Sequence, residues 1–156
     1  MIVAGIDPGK TGAMAIIYPD LTIQFFDVPV IKLRGKPRPA WRDWYVSWSS
    51  ALGFAGVDSI VIEEVAARPG QGVTSMFTFG RTLGFAHAIA VSVGASIQTV
   101  TPAVWKGKLG LLNSGKGASR ELCSNLYPTT AAQLARVKDD GRAEAALIAH
   151  YGRKFL

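Results

Sequence analysis

The sequence predicts an α/β fold in which helices flank a mixed five-stranded sheet. Three observations carry this expectation. Apolar runs at residues 2–6, 13–18 and 21–26 are separated only by the turn sequences DPGKTG and Pro19-Asp20, which predicts three strands in an antiparallel meander. The segment SIVIEEV at 59–65 is β-branched and apolar, then abruptly acidic, and reads as a buried central strand ending at Glu63. Helical periods then alternate with a fifth strand, ASIQTV at 95–100, so that the meander feeds a mostly parallel portion.

The intervening elements follow in order. Residues 29–39, PVIKLRGKPRP, hold three prolines and predict a loop, with Lys32, Arg34, Lys36 and Arg38 at alternate positions. Trp41, Trp44, Tyr45 and Trp48 recur at three- and four-residue spacing, the period of a helix, which Gly53 and Gly56 should end near Leu52. That aromatic stripe is expected in the core or a subunit interface. Residues 75–92 suit a second helix, and Gly80 and Gly84 on it suggest close helix packing. Thr101-Pro102 suits a helix start, with Thr at N-cap and Pro at the first helical position. A glycine- and lysine-containing segment at 106–118 leads into a helix over about 118–126. After a polar, proline-containing connection, the last helix starts near Asp140, with Ala143, Ala146, Leu147 and His150 on its apolar side. No repeat or long linker divides the 156 residues, which suit a single domain.

At 49% hydrophobic residues, the chain can build a core without disulfides or a structural metal. Its single cysteine, Cys123, sits in an apolar stretch and excludes an intramolecular disulfide and a thiolate cluster. No apolar run reaches membrane-spanning length, so no membrane partner is expected. The N-terminus lacks the basic start and cleavage site of a signal peptide, and a cytoplasmic setting is the expectation. Seventeen Lys and Arg against 11 Asp and Glu give a net charge of +6, which favours a polyanionic partner.

The few acids fall where a sheet presents residues to a ligand. Asp7 ends the first strand and Glu63 ends the fourth, and crevices beyond strand ends are the usual ligand sites of open α/β sheets. Asp140 and Glu144 lie one turn apart on the last helix and share a face. If that helix packs near the first and fourth strands, four carboxylates converge. Such carboxylates raise one another's pKa unless a hard cation joins them. Mg²⁺, or Mn²⁺ in its place, would take Asp7, Glu63, Asp140 and Glu144 as ligands, and two such ions can drive phosphodiester hydrolysis. Glu64 points to the opposite sheet face if the strand continues, so only one of the pair should enter the site; Glu64 and Asp139 are expected at its edge. His87 and His150 read as packed side chains. Zinc-binding, Ser–His–Asp and complete phosphate-loop motifs are not found; GIDPGKTG has the wrong glycine spacing for the last.

IVAGIDPGKTG at 2–12, IVIEEV at 60–65, SMFTFGRTLGF at 75–85 and DDGRAEAALIAH at 139–150 together resemble the RuvC-type Holliday junction resolvases of the ribonuclease H-like superfamily, in particular short bacteriophage members. The resemblance spans nearly the whole chain. It implies a ribonuclease H-like fold with Asp7, Glu63 and Glu144 as catalytic acids, Glu144 standing where the family commonly has Asp. The family's fourth acid falls on Gly141 here, so Asp140 or Asp139 takes its place. The resemblance further implies a homodimer, Mg²⁺, branched DNA as partner, and paired nicks across a four-way junction that leave 5′-phosphate and 3′-hydroxyl ends. Lys106 and Lys116 match the family's basic region near the scissile phosphate, and Lys108 lies beside them. Where relatives often place an aromatic residue after the catalytic glutamate, this chain has Ala66. Arg68 is the candidate to probe an opened junction centre, since Phe77 and Phe79 are expected in the core. Phosphate contacts are expected from the basic segment 32–38.

The leading function is therefore a metal-dependent, structure-selective DNA endonuclease. A broader branched-DNA or flap nuclease, or an RNA–DNA hybrid nuclease, would use the same acids. A non-catalytic architectural protein for branched DNA is the third reading. The carboxylates weigh against it, because they would repel a phosphate backbone without metal.

Overall fold

The protein is described from a computed structural model that covers residues 1–64, 66 and 70–156. Strands β1 (Val3–Asp7), β2 (Ala13–Ile17) and β3 (Ile23–Asp27) form the expected antiparallel meander. Strands β6 (Ser59–Glu63) and β7 (Ser96–Val100) extend it in parallel, β6 beside β1, in the order β3-β2-β1-β6-β7. The five-stranded mixed sheet flanked by helices matches the expectation.

Period-two alternation assigns each sheet face a separate core. Ala4, Ile6, Met14, Ile16, Ile60 and Ile62 face α1 (Trp41–Ala55) and α2 (Val73–Ser92). Trp44 and Trp48 are fully buried there and Trp41 is half-buried, whereas Tyr45, the fourth aromatic of the stripe, is exposed. Helix α1 runs three residues past Leu52, through Gly53, because the left-handed Gly56 at φ 62° is what caps it. On the other face, Val3, Ala15, Ile17 and Val61 pack against α5 (Asp140–Phe155), and Cys123 of α4 (Ala118–Leu126) is buried in the same core. Burial pushes the Cys123 thiol up to about 12, which keeps it a small apolar filler.

Helix α5 lies unusually close on the sheet. A Cβ at Gly5 would overlap the Ala145 carbonyl oxygen and the Ala149 amide nitrogen. A Cβ at Gly141 would stand 2.5 Å from the Thr11 carbonyl oxygen, and one at Gly152 2.6 Å from a Val61 methyl. Ala143, Ala145, Ala146 and Ala149 supply small, fully buried contacts between these points.

Three sequence expectations are corrected. Residues 29–39 are not a plain loop: β4 (Val30–Leu33) pairs antiparallel with β5 (Lys36–Pro39). The two-residue turn between them has Arg34 at φ 50° and Gly35 at φ 73°, the twist that suits a tight hairpin. The prolines pointed to a loop, but this two-stranded ribbon has edges on both sides, where proline is tolerated. Within the chain, Gly80 and Gly84 mediate no helix packing among the described residues: both are exposed, and a Cβ at either would meet open space. Phe77 is 68% exposed rather than core, because α2 turns that face away from the sheet. The connection after α4 is built from two 3₁₀ segments, Pro128–Leu134 and Val137–Asp139. Among the described residues, no helix is long and apolar enough to cross a membrane.

The two classes of glycine should separate by equilibrium urea unfolding. Gly5→Ala is expected to destabilise by about 3 kcal/mol or more, through overpacking against backbone that has no side chain to give way. Gly80→Ala and Gly84→Ala, at exposed interior helix positions, are each expected to stabilise by about 0.5–1 kcal/mol.

Candidate active site

Strand parity decides which acids meet. Asp7 has the parity of Val3 and Gly5, and Glu63 that of Val61, so both belong to the face covered by α5. Since β1 and β6 are parallel neighbours, both carboxylates emerge at the same carboxyl end. Helix α5 brings Glu144 onto them from above, and α3 (Pro102–Lys108), which follows β7, brings Trp105 and Lys106 from the side. Asp7, Lys106, Lys116, Ser119, Asp140 and Glu144 line one pocket of about 360 Å³.

Each carboxylate is held by one oxygen. The Gly9 amide donates to Asp7 Oδ1 at 3.0 Å. The Trp105 indole Nε1 donates to Glu63 Oε1 at 2.8 Å, entirely within the protein. Lys106 Nζ donates to Glu144 Oε1 at 2.8 Å, and the Ser119 hydroxyl approaches the same atom at 3.4 Å. Among the described residues, the second oxygens of Asp7 and Glu63 carry no hydrogen bond.

Burial pushes the Asp7 carboxyl up to about 7; the Gly9 amide opposes this, the charges of Glu63 and Glu144 add to it, and Lys106 partly offsets them. Glu63 is raised too, first by burial, with the Trp105 hydrogen bond opposing and Glu144 adding. Among the described residues, no three His, Cys, Asp or Glu side chains form a ready-made metal-holding group. The donor set nevertheless fits a hard divalent cation: it is all oxygen and carboxylate, and burial with neighbouring charge raises Asp7 and Glu63. Asp7, Glu63 and Glu144 are the residues that would hold one.

The remaining sequence candidates separate. Asp140 lines the pocket but pairs with Arg120 Nε at 2.6 Å, and its side chain is 45% exposed. Asp139 is buried and turned to Arg136, whose guanidinium holds its carboxyl below the usual range. Glu64 is exposed, on the far side of the strand end. Lys116 lines the pocket, whereas Lys108 is directed over the Phe155 ring. Arg34, Lys36 and Arg38 line a separate groove, and Lys32 points to the other hairpin face. Arg68 lies outside the described residues. His150 is half-buried and bonded through Nδ1 to the Tyr127 hydroxyl at 2.7 Å, and His87 is half-buried; neither joins the acids.

Sequence reasoning missed Trp105, Ser119 and Arg120. Trp105 had a signal, since a buried tryptophan needs an acceptor for its indole N–H. Nothing in the sequence says that the acceptor is a glutamate 42 residues away.

By sequence, the chain matches no family model and no curated protein. By structure, it is similar to Thermus thermophilus RuvC, with 18% identity, a TM-score of 0.62, and 98% of this chain and 96% of that one covered. A second structure of that protein, in complex with a Holliday junction substrate, gives a TM-score of 0.58. The fowlpox virus Holliday junction resolvase matches with 16% identity, a TM-score of 0.55 and both chains fully covered. The yeast mitochondrial Holliday junction resolvase Ydc2 matches with 16% identity, a TM-score of 0.52, and 94% and 75% covered. The chain thus shares the α/β fold of RuvC and of these Holliday junction resolvases.

Proposed function

We propose that the protein is a metal-dependent endonuclease that resolves four-way DNA junctions by paired symmetric nicks, acting as a homodimer with Mg²⁺. The observation that carries this reading is the convergence of Asp7, Glu63 and Glu144 at one sheet end, where burial raises Asp7 to about 7 and the charges of Glu63 and Glu144 add to the rise. The shared fold supports the substrate class, since T. thermophilus RuvC has been seen on a Holliday junction substrate. A two-fold symmetric dimer suits a nearly two-fold symmetric junction.

A bound divalent ion would supply an activated water and charge stabilisation at the phosphate. The chain's own groups do the rest. The Gly9 amide fixes one oxygen of Asp7, which lines the pocket, and the Trp105 indole fixes one oxygen of Glu63. Lys106, now against Glu144, is the cation best placed to meet a phosphate oxygen as charge develops. Lys116, which also lines the pocket, can hold the backbone in place.

The first test is cleavage of an immobile four-way junction beside matched duplex, flap and RNA–DNA hybrid, with Mg²⁺, Mn²⁺ or EDTA. Paired symmetric nicks in the junction are expected with metal only. Asp7→Asn and Glu63→Gln should each lower the rate on the order of 10³-fold. Equal cutting of flaps or hybrids would remove the junction specificity, and tight junction binding without cleavage under any metal would overturn the enzyme.

Lys106→Met should lower the cleavage rate by roughly 10²-fold or more while leaving metal affinity equal or tighter, since the ammonium competes with a cation for Glu144. Isothermal titration with Mn²⁺ beside single-turnover cleavage separates the two effects.

Asp7 also makes stability depend on pH. Its folded-state pKa, about 7, lies above the ordinary 3.8, so the folded, metal-free protein keeps a proton that the unfolded chain has released. Stability should therefore fall as pH rises from about 4 to about 7, by up to about 4 kcal/mol from this group. Urea unfolding at pH 5 and pH 8 should show the loss in wild type, a smaller one in Asp7→Asn, and recovery at pH 8 on adding Mg²⁺.

A further inference from the structure

The β1–β2 turn has two sides. Thr11 lines the carboxylate pocket, and Lys10, its neighbour, lines a second and larger groove. This groove runs between the β4–β5 hairpin and the start of α1 on one side and the first half of α2 on the other, and encloses about 1400 Å³. Small-molecule pockets span about 300–1,000 Å³, so the space suits a segment of a polymer.

Its charge is concentrated. Lys10, Arg34, Lys36, Arg38, Arg42 and Arg81 line it, with Asp43 the one acid. Six cations against one anion leave five positive charges here, when the whole chain carries +6. Among the described residues, none of the six is paired with a carboxylate, whereas Lys106, Arg120, Arg136 and Arg142 elsewhere all are.

Its walls are also apolar. Hairpin register places Ile31 opposite Arg38 and Leu33 opposite Lys36, so two aliphatic and two cationic side chains share the groove face. Ile31 and Leu33 are 43% and 55% exposed, a cost in water that a covering ligand would remove. Phe79 faces them from α2, and Arg81 stacks its guanidinium 5.0 Å from the centre of the Trp41 ring, a cation held on an aromatic base.

We infer that this groove seats an unpaired nucleic-acid strand and delivers it over the β1–β2 turn to the carboxylate pocket. The inference rests on the nuclease reading and deepens it. Duplex DNA presents phosphates and hides its base faces, so the aliphatic and aromatic wall would gain nothing from it. An unpaired strand offers both, phosphates to the cations and base faces to Ile31, Leu33 and Phe79. Substrate choice would then depend on a strand that can leave its duplex at a branch point, and the hairpin would be the element that selects it.

The test is binding without chemistry. Fluorescence anisotropy in EDTA would compare labelled 12-nucleotide oligo-dT with a blunt 20-base-pair duplex, at two salt concentrations. Wild type, Arg38→Glu/Arg81→Glu, Leu33→Ser and the charge-matched control Lys138→Glu/Lys154→Glu would be used, each checked for an unchanged thermal melt. The groove reversal is expected to weaken oligo-dT binding by roughly tenfold or more, and duplex binding no more than the control does. Leu33→Ser should weaken oligo-dT alone, by a few-fold, and independently of salt. Equal loss for strand and duplex, no loss for either, or displacement of oligo-dT by poly-glutamate at equal charge would each overturn the inference. Because no metal is present, these outcomes are separate from the nuclease reading, which fails only if wild type with Mg²⁺ or Mn²⁺ cuts nothing.

Discussion

The close seat of α5 on β1 is the constraint on which the rest of the molecule depends. Three glycines make it possible, at positions 5, 141 and 152, where any Cβ would strike backbone or a packed valine methyl. The alanines between them keep the helix surface flat enough to follow the strand. With α5 at that distance, Glu144 reaches the strand-end acids and its charge raises both Asp7 and Glu63. A bulkier interface would lift the helix and separate the carboxylates. The same contact that fills one half of the core therefore sets the electrostatics of the pocket.

The pocket is balanced between opposing demands. Burial and like charge push Asp7 and Glu63 toward the neutral form, while one hydrogen bond to each pulls back. Lys106 moderates the repulsion and at the same time occupies Glu144. Holding carboxylates buried and close together in this way is costly for folding. Asp140 is differently placed, half-exposed and paired with Arg120, so it sits at the rim of this balance.

The hairpin adds a second electrostatic feature without disturbing the first. Its cations lie across the β1–β2 turn from the acids, so the positive groove and the negative pocket are neighbours that do not neutralise one another.

Much of this was legible in the sequence, because period and punctuation are local properties. The meander, the acidic end of β6 and the start of the last helix near Asp140 follow from side-chain alternation, turn residues and apolar spacing. Strand parity likewise allows only one of Glu63 and Glu64 on the face that α5 covers. What failed were inferences that needed a partner's position. Prolines at 29–39 argued against strands, yet a two-stranded ribbon with both edges free accommodates them. Gly80 and Gly84 looked like a packing motif, yet α2 turns them to solvent, while Gly5, which carries the closest approach, lay inside an ordinary strand. Lys32 and Lys36 belong to one basic run, but the tight turn at Arg34-Gly35 sends them to opposite faces. The indole that holds Glu63 and the ammonium that holds Glu144 come from α3, 42 and 38 residues away in sequence. The sequence by itself determined which residues are acidic strand ends and which faces are apolar. Only the tertiary structure decided which charges meet, because that depends on how closely the helices can approach the sheet.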